Sequence, residues 1–347
     1  MLKSKLFPDS VYLLPGDIQM PFTCIYCSCS ESEQRPSDAH IFPYALGGVL
    51  STTETVCLKC NQHINQYVEN PILRSFAFFR SVWGIRGRFR DVVRVRAKLS
   101  FAGMTKDVWL DEHGEIDSVI IHKTEDEGGK ISYSLFGPPE KVEAKKLEMS
   151  TQNPSIRWID RDLHGIAPPE SVAEFSIDLG GLPLRRLASK VAFERFAQLR
   201  FPVLSADFNE IRRFILHGDT DGKCCGILID ERLLFGSFNF QPPSHAVVLI
   251  AHPKDTVLGA VVSFFGLFYY WVVLSKNYRA LAAFDDLLIE DPQKRESDRP
   301  LLRGQTGKVR LSWPQVMEAY CNNPADTVTA ASRYATRKFK EAINTGT

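Results

Sequence analysis

The longest apolar run of the chain lies between Asp255 and Lys276, where residues 256–275 read TVLGAVVSFFGLFYYWVVLS without a charge. Twenty such residues are long enough to cross a bilayer as a helix. The run is also rich in Val, Phe and Tyr and is broken by Gly259 and Gly266. That composition predicts buried strands, or a strand and a turn, and the core reading is preferred over a membrane span. Residues 246–251 form a second continuous apolar stretch and predict a buried strand. Residues 182–201 (LPLRRLASKVAFERFAQLRF) repeat with the 3.6 period of an amphipathic helix, and 209–216 predict a shorter helix ending at His217-Gly218. Between 92 and 136 the alternation predicts strands, with turns at 111–114 and 126–129. Residues 137–155 are polar and Pro-bearing and predict a connector, 291–305 a charged loop, and 327–344 a terminal helix carrying Arg333, Arg337, Lys338 and Lys340.

Helical and strand patterns follow one another without a repeated unit, so the fold class expected is α+β. A small module over residues 1–72 precedes a larger mixed α/β body over 73–347. A chain of 347 residues has room for both. Its 44% hydrophobic and 24% charged content is that of an ordinary globular protein. A net charge of +1 excludes a global field that gathers nucleic acid, so any such field must be local. Eight cysteines without a secreted-type framework, and an N-terminus without the apolar run of a signal peptide, point to a reducing compartment, the cytoplasm.

Four of those cysteines change the picture. Cys24-x2-Cys27 and Cys57-x2-Cys60 are paired CxxC units. Four thiolates so spaced make a closed tetrahedral zinc site, which is structural. The intervening loop is longer than a zinc ribbon needs and holds a lone histidine, His40, followed by Pro43 and Gly47-Gly48; Asn61 directly follows the last cysteine. A His in a zinc-stapled loop beside such an Asn is the makings of a metal-assisted hydrolase site. Cys29 is either a spare thiol or a competitor within the zinc site. His63 reads as a solvated helix histidine, and Asn61 as either a metal ligand or the cap of a helix over 62–70.

Cys24-Ile-Tyr-Cys27, Ala39-His40-Ile-Phe-Pro43 with Leu46-Gly47-Gly48, and Val56-Cys57-Leu-Lys-Cys60-Asn61 together resemble HNH endonucleases of the type with two CxxC pairs, over roughly residues 22–70. The resemblance implies a ββα-metal fold, in which a two-stranded ribbon and a helix clasp one divalent ion. It implies His40 as the general base on the attacking water and Asn61 as a ligand of a catalytic Mg2+ or Mn2+, alongside a structural Zn2+. Many members carry Asp or Glu immediately before the base. Here that position is Ala39, with Asp38 one residue earlier as the alternative carboxylate ligand, and Glu54 or a threonine hydroxyl stands where the family has its middle Asn. The chemistry suits the residue types: an imidazole with an ordinary pKa of about 6.5 deprotonates water near neutrality, and a hard divalent ion offsets charge on the phosphate.

A local basic field lies just downstream. Between 74 and 98 eight basic residues face one acid, Asp91. Arg86, Arg88, Arg90, Arg94, Arg96 and Lys98 are the candidate nucleic-acid contacts, and the alternation over 93–99 predicts a strand with one basic and one apolar face. The expected function is metal-dependent hydrolysis of double-stranded DNA, in a defence or mobile-element setting. The alternative is a zinc-stapled nucleic-acid-binding module without catalysis. The body's role is substrate selection, sensing or dimerisation (a homodimer), and the sequence does not choose among them.

Overall fold

The computed structural model describes residues 21–85, 95–101, 104–110, 116–129, 131–158, 177–199, 203–218, 224–228, 241–251, 256–278, 284–298 and 324–345. The chain opens with a small ribbon, β1 (Ala39–His40) and β2 (Ser51–Thr52), which pair antiparallel with His40 opposite Ser51. Helix α1 (Leu58–Ile64) follows and runs through a π turn, Asn65–Glu69, into α2 (Asn70–Ser75) and then α3 (Ala77–Val82). Pro71 sits where the π turn passes into α2.

Two hairpins come next. β3 (Val95–Phe101) pairs with β4 (Met104–Leu110), and β5 (Ile120–Glu125) with β6 (Ile131–Phe136). On β3, Val95 and Ala97 point inward and join Val108, Leu110 and Ile120 in a small cluster, while Arg96 and Lys98 point out. The turn at 126–129 forms, with the Gly129 N–H donating to the Asp126 carbonyl at 2.9 Å; the turn expected at 111–114 lies outside the described residues.

Residues expected to be a connector fold instead into α4 (Pro139–Gln152). The Pro-Pro step that suggested a linker occupies the helix start. The segment after it is made of good helix formers, braced by Lys145–Glu148 and Lys146–Glu143 pairs at 2.6 Å.

Helix α5 (Leu182–Gln198) corrects a second expectation. It is not amphipathic in place: from Leu187 to Ala197 every residue is buried, charged Lys190, Glu194 and Arg195 included. The helix runs through the middle of the molecule, with a sheet on one side and the π turn and α2 on another. Helix α6 (Asn209–His217) packs beside it and ends at Gly218, whose φ of 71° closes the helix as the sequence predicts.

The described strands of the main sheet are β7 (Cys225–Ile227), β8 (His245–Ala251), β9 (Leu258–Phe264), β10 (Phe268–Ser275), β11 (Phe284–Asp291) and β12 (Glu296–Asp298). Their order is β12-β11-β8-β9-β10-β7, all antiparallel. The apolar run 256–275 is the β9–β10 hairpin, turning through Phe265 (φ 58°) and Gly266 (φ 65°). Both of its faces are covered. Ala260, Val262, Phe264, Tyr270 and Val272 lie in the core with α5, while Val261, Tyr269, Trp271 and Val273 lie with Tyr334 of helix α7 (Pro324–Thr345). Burial on both faces is why the run carries no alternation. No helix among the described residues is long and apolar enough to cross a membrane. The loop expected over 291–305 holds the β11–β12 turn and β12 itself; 299–305 lie outside the described residues.

One apolar core runs through the cysteine-rich module and the body together. It joins Cys24, Ile41, Phe42 and Cys57 to Phe76, Phe193, Phe264 and Ala335. Phe76 alone meets Phe79, Phe264, Phe265 and Phe268 at ring distances of 5.1 to 6.2 Å.

Candidate metal centre and catalytic loop

The first CxxC pair sits on a tight knuckle. The Ser28 N–H donates to the Cys24 carbonyl at 2.8 Å, the Cys24 N–H to the Cys29 carbonyl at 2.9 Å, and Ser28 takes the left-handed φ of 59°. The second pair begins α1. Cys57 is the helix cap, its sulfur accepting from the Cys60 N–H at 3.5 Å, while the Cys57 N–H donates to Cys24 Sγ at 3.4 Å. The four sulfurs of Cys24, Cys27, Cys57 and Cys60 lie within 4.8 Å of one another. A tetrahedron with metal–sulfur bonds of about 2.3 Å fits that spacing, so the donor set suits zinc. The Cys60 thiol and the surrounding backbone amides hold Cys24 at about 4, far below the usual thiol range. Cys29 is a fifth sulfur at the rim, 3.3 Å from Cys27 Sγ and outside the group of four.

His40 lies half-buried on β1, with its ring T-shaped against Tyr44 at 5.2 Å. Ala39 before it is completely buried in the core, and Asp38 is exposed. A carboxylate in place of Ala39 would therefore face apolar side chains. Asn61 stands in the first turn of α1, not at its cap, which corrects the helix start expected at 62. Its Nδ2 donates to Ser37 Oγ at 2.8 Å and to the Asp38 carbonyl at 3.2 Å. The amide nitrogen is thus turned to the chain, and Oδ1 is the atom suited to a cation. Glu54 is exposed at the end of the ribbon, its N–H donating to Thr52 Oγ1 at 3.2 Å. Among the described residues the four cysteines are the only group of three or more Cys, His, Asp or Glu ligand atoms gathered for a metal. His63 is not solvated as expected: its Nε2 meets the Leu216 carbonyl at 2.9 Å, docking α1 on the end of α6.

The backbone from 40 to 50 is pinned by buried polar residues of the body. Lys190 on α5 donates to the carbonyls of His40 and Ile41, the second at 3.1 Å. Burial opposes its charge, but Glu194 and Glu69, at 3.0 and 3.1 Å, outweigh that and raise its pKa. Tyr26 beside the zinc knuckle donates to Glu194 Oε1 at 3.0 Å, and burial lifts Glu194 to about 7. His245 on β8 donates from Nε2 to the Leu46 carbonyl at 2.9 Å and accepts at Nδ1 from the Phe265 N–H at 3.2 Å. Glu290 on β11 accepts from the N–H groups of Val49 and Leu50 at 3.0 and 2.8 Å.

Between these anchors the Gly-Gly turn is forced. Gly47 has φ 94°, and a Cβ there would stand 2.3 Å from Pro292 Cβ; one at Gly48 would stand 1.9 Å from the Phe42 carbonyl oxygen. The sequence reading did not find Lys190, Glu194, His245 or Glu290. Only His245, at the start of the apolar run 246–251, carries a local signal; Lys190 and Glu194 are among several charges of 182–201, and Glu290 among several acids of 284–291.

Of the candidate nucleic-acid contacts, Arg96 and Lys98 are exposed on β3, and Arg96 pairs with Asp107 across the hairpin at 2.7 Å. Arg86, Arg88, Arg90 and Arg94 lie outside the described residues. No curated protein and no solved structure matches the chain. Residues 24–77, which hold both CxxC pairs, His40, Asn61 and the helices that follow, match the family model of the HNH endonucleases, and the N-terminal module is similar to the domain of that family.

Proposed function

We propose that this protein is a metal-dependent endonuclease that hydrolyses phosphodiester bonds of double-stranded DNA. The observation that carries this reading is the ribbon and helix holding His40 and Asn61 beside a four-cysteine site, within the stretch matched by the HNH endonuclease model. Cys24, Cys27, Cys57 and Cys60 would hold a structural zinc. Asn61 Oδ1 and the Asp38 carboxylate would hold a Mg2+ or Mn2+, hard cations that favour such oxygens. When bound, that ion offsets the charge that builds on the scissile phosphate and leaving oxygen.

The chain's own residues do the rest. The His40 imidazole takes a proton from the attacking water. Its main-chain carbonyl, held by Lys190, fixes the strand that carries it, and Tyr44 restrains the ring. The Asn61 amide nitrogen locks α1 to the main chain at Asp38, so base and ligand move as one unit. Free thiols gathered for a metal favour a reducing compartment such as the cytoplasm.

A second reading, a zinc-stapled binding module without catalysis, is favoured by Ala39: the residue before His40 is buried and offers no ligand. Supercoiled plasmid incubated with Mg2+ or Mn2+ decides between them. Nicking that EDTA abolishes supports the endonuclease. DNA retained in a gel shift but never cut, with either ion, supports the binding module.

A further inference from the structure

The β11–β12 turn brings Arg295 to Tyr44, a ring neighbour of His40, from 251 positions away in the chain. The tip of that hairpin is seated on the Gly-Gly turn: Pro292 presses against Gly47, and Gln293 Nε2 donates to the Trp83 carbonyl at 3.2 Å. Asp291 Oδ1 shapes the tip by accepting from the N–H groups of Gln293 and Lys294, both at 3.0 Å. Arg295 follows with φ 58°, a left-handed backbone that a non-glycine residue adopts at a cost. From there its guanidinium lies over the ring of Tyr44, 4.3 Å from the centroid, and Nη1 donates to the Tyr44 carbonyl at 3.3 Å. The His40 imidazole also packs against that ring, 5.2 Å between centroids. Tyr44 is exposed, and Lys294 beside Arg295 is exposed as well.

Arg295 and the candidate base thus share Tyr44 as a neighbour. A guanidinium fork matches two oxygens of a phosphate. We propose that Arg295 binds a phosphodiester group of the nucleic-acid backbone at the His40 site, so that the C-terminal body supplies part of the substrate-binding surface. This deepens the endonuclease reading and rests on it for the placement of His40.

The test measures equilibrium binding of a short labelled DNA duplex to the full-length, zinc-loaded His40→Ala protein, with no Mg2+, Mn2+ or chelator added, across a salt series. Adding Arg295→Gln should weaken binding by about three- to tenfold and lower the slope of log affinity against log salt by roughly 0.9, one phosphate contact. Arg295→Lys should restore most of the slope. Unchanged affinity and slope in Arg295→Gln, with melting temperature and zinc content also unchanged, would make the residue only a latch on Tyr44 and overturn the proposal. A parent protein that binds no duplex at low salt overturns it equally. The two claims separate cleanly. A slope that falls in a protein that never cuts DNA leaves Arg295 standing and removes the nuclease reading. An unchanged slope, in a protein whose wild type cuts and whose His40→Ala form does not, does the reverse.

Discussion

At the scale of single residues, His245 on β8 is a titratable group held at both ring nitrogens, one of them by the loop that follows His40. One ring nitrogen donates to Leu46 and the other accepts from the Phe265 N–H, so the neutral imidazole is fully used and has no place for a second proton. Burial accordingly lowers its pKa from 6.5 to about 4. As pH falls through that window the unfolded chain binds a proton that the folded chain refuses, so stability is lost toward acid. The loss is on the order of 3 kcal/mol by pH 4. Glu194 works in the opposite sense, since its carboxyl keeps a proton between 4.5 and about 7 in the folded state and favours folding toward acid. Comparing urea denaturation of wild type and His245→Gln at several pH values isolates the histidine. Wild type should lose its advantage as pH falls from 6.5 to 4. An advantage independent of pH would contradict the assignment.

At the scale of elements, α5 is the beam on which the loop carrying His40 rests, and Lys190 is its critical point. Its ammonium is buried with two carboxylates and two carbonyls of the loop. Lys190→Met leaves Glu194 and Glu69 without their cation, and removing one partner of a buried pair typically costs about 3–5 kcal/mol. Chemical denaturation measures this, and a loss below about 1 kcal/mol would contradict the arrangement.

The sequence made much of this level readable. The buried strands within 256–275 and at 246–251 follow from continuous apolar composition, and the helix ending at Gly218 and the basic alternation on β3 from period and punctuation. Other features were hidden because they depend on what lies opposite. The period of 182–201 fits an amphipathic helix, but Lys190, Glu194 and Arg195 find partners inside, the last in Asp286 at 2.6 Å. The prolines at 138 and 139 read as a break but begin a helix. The cysteine spacing and His40 were legible because their signal is local. The anchors Lys190, His245 and Glu290, and the approach of Arg295, were not, since each lies 150 to 251 residues from the group it meets.

At the scale of the whole molecule, the continuous core ties the four-cysteine site to the main sheet. Cys24 and Cys57 belong to the same buried cluster as α5 and β9. Metal binding should therefore be coupled to the folding of the whole chain rather than of a detachable finger. Metal analysis should find about one zinc per chain, because four thiolates fill one tetrahedral site. Cys57→Ser should lower the single melting transition of the full chain and increase its protease sensitivity. A zinc-free protein of unaltered stability would contradict the site.

The body, on this account, has two tasks at the module. It fixes the loop from below through Lys190, His245 and Glu290, and it completes the outer surface through Arg295. The central claim is that His40 is the base of a nuclease on that scaffold. Single-turnover cleavage of plasmid in Mg2+ or Mn2+, by wild type and His40→Ala side by side, tests it most directly. The account predicts that His40→Ala keeps its zinc and melting temperature and cuts about 10²- to 10⁴-fold more slowly. Equal cleavage by the two proteins, both folded and zinc-loaded, would contradict it.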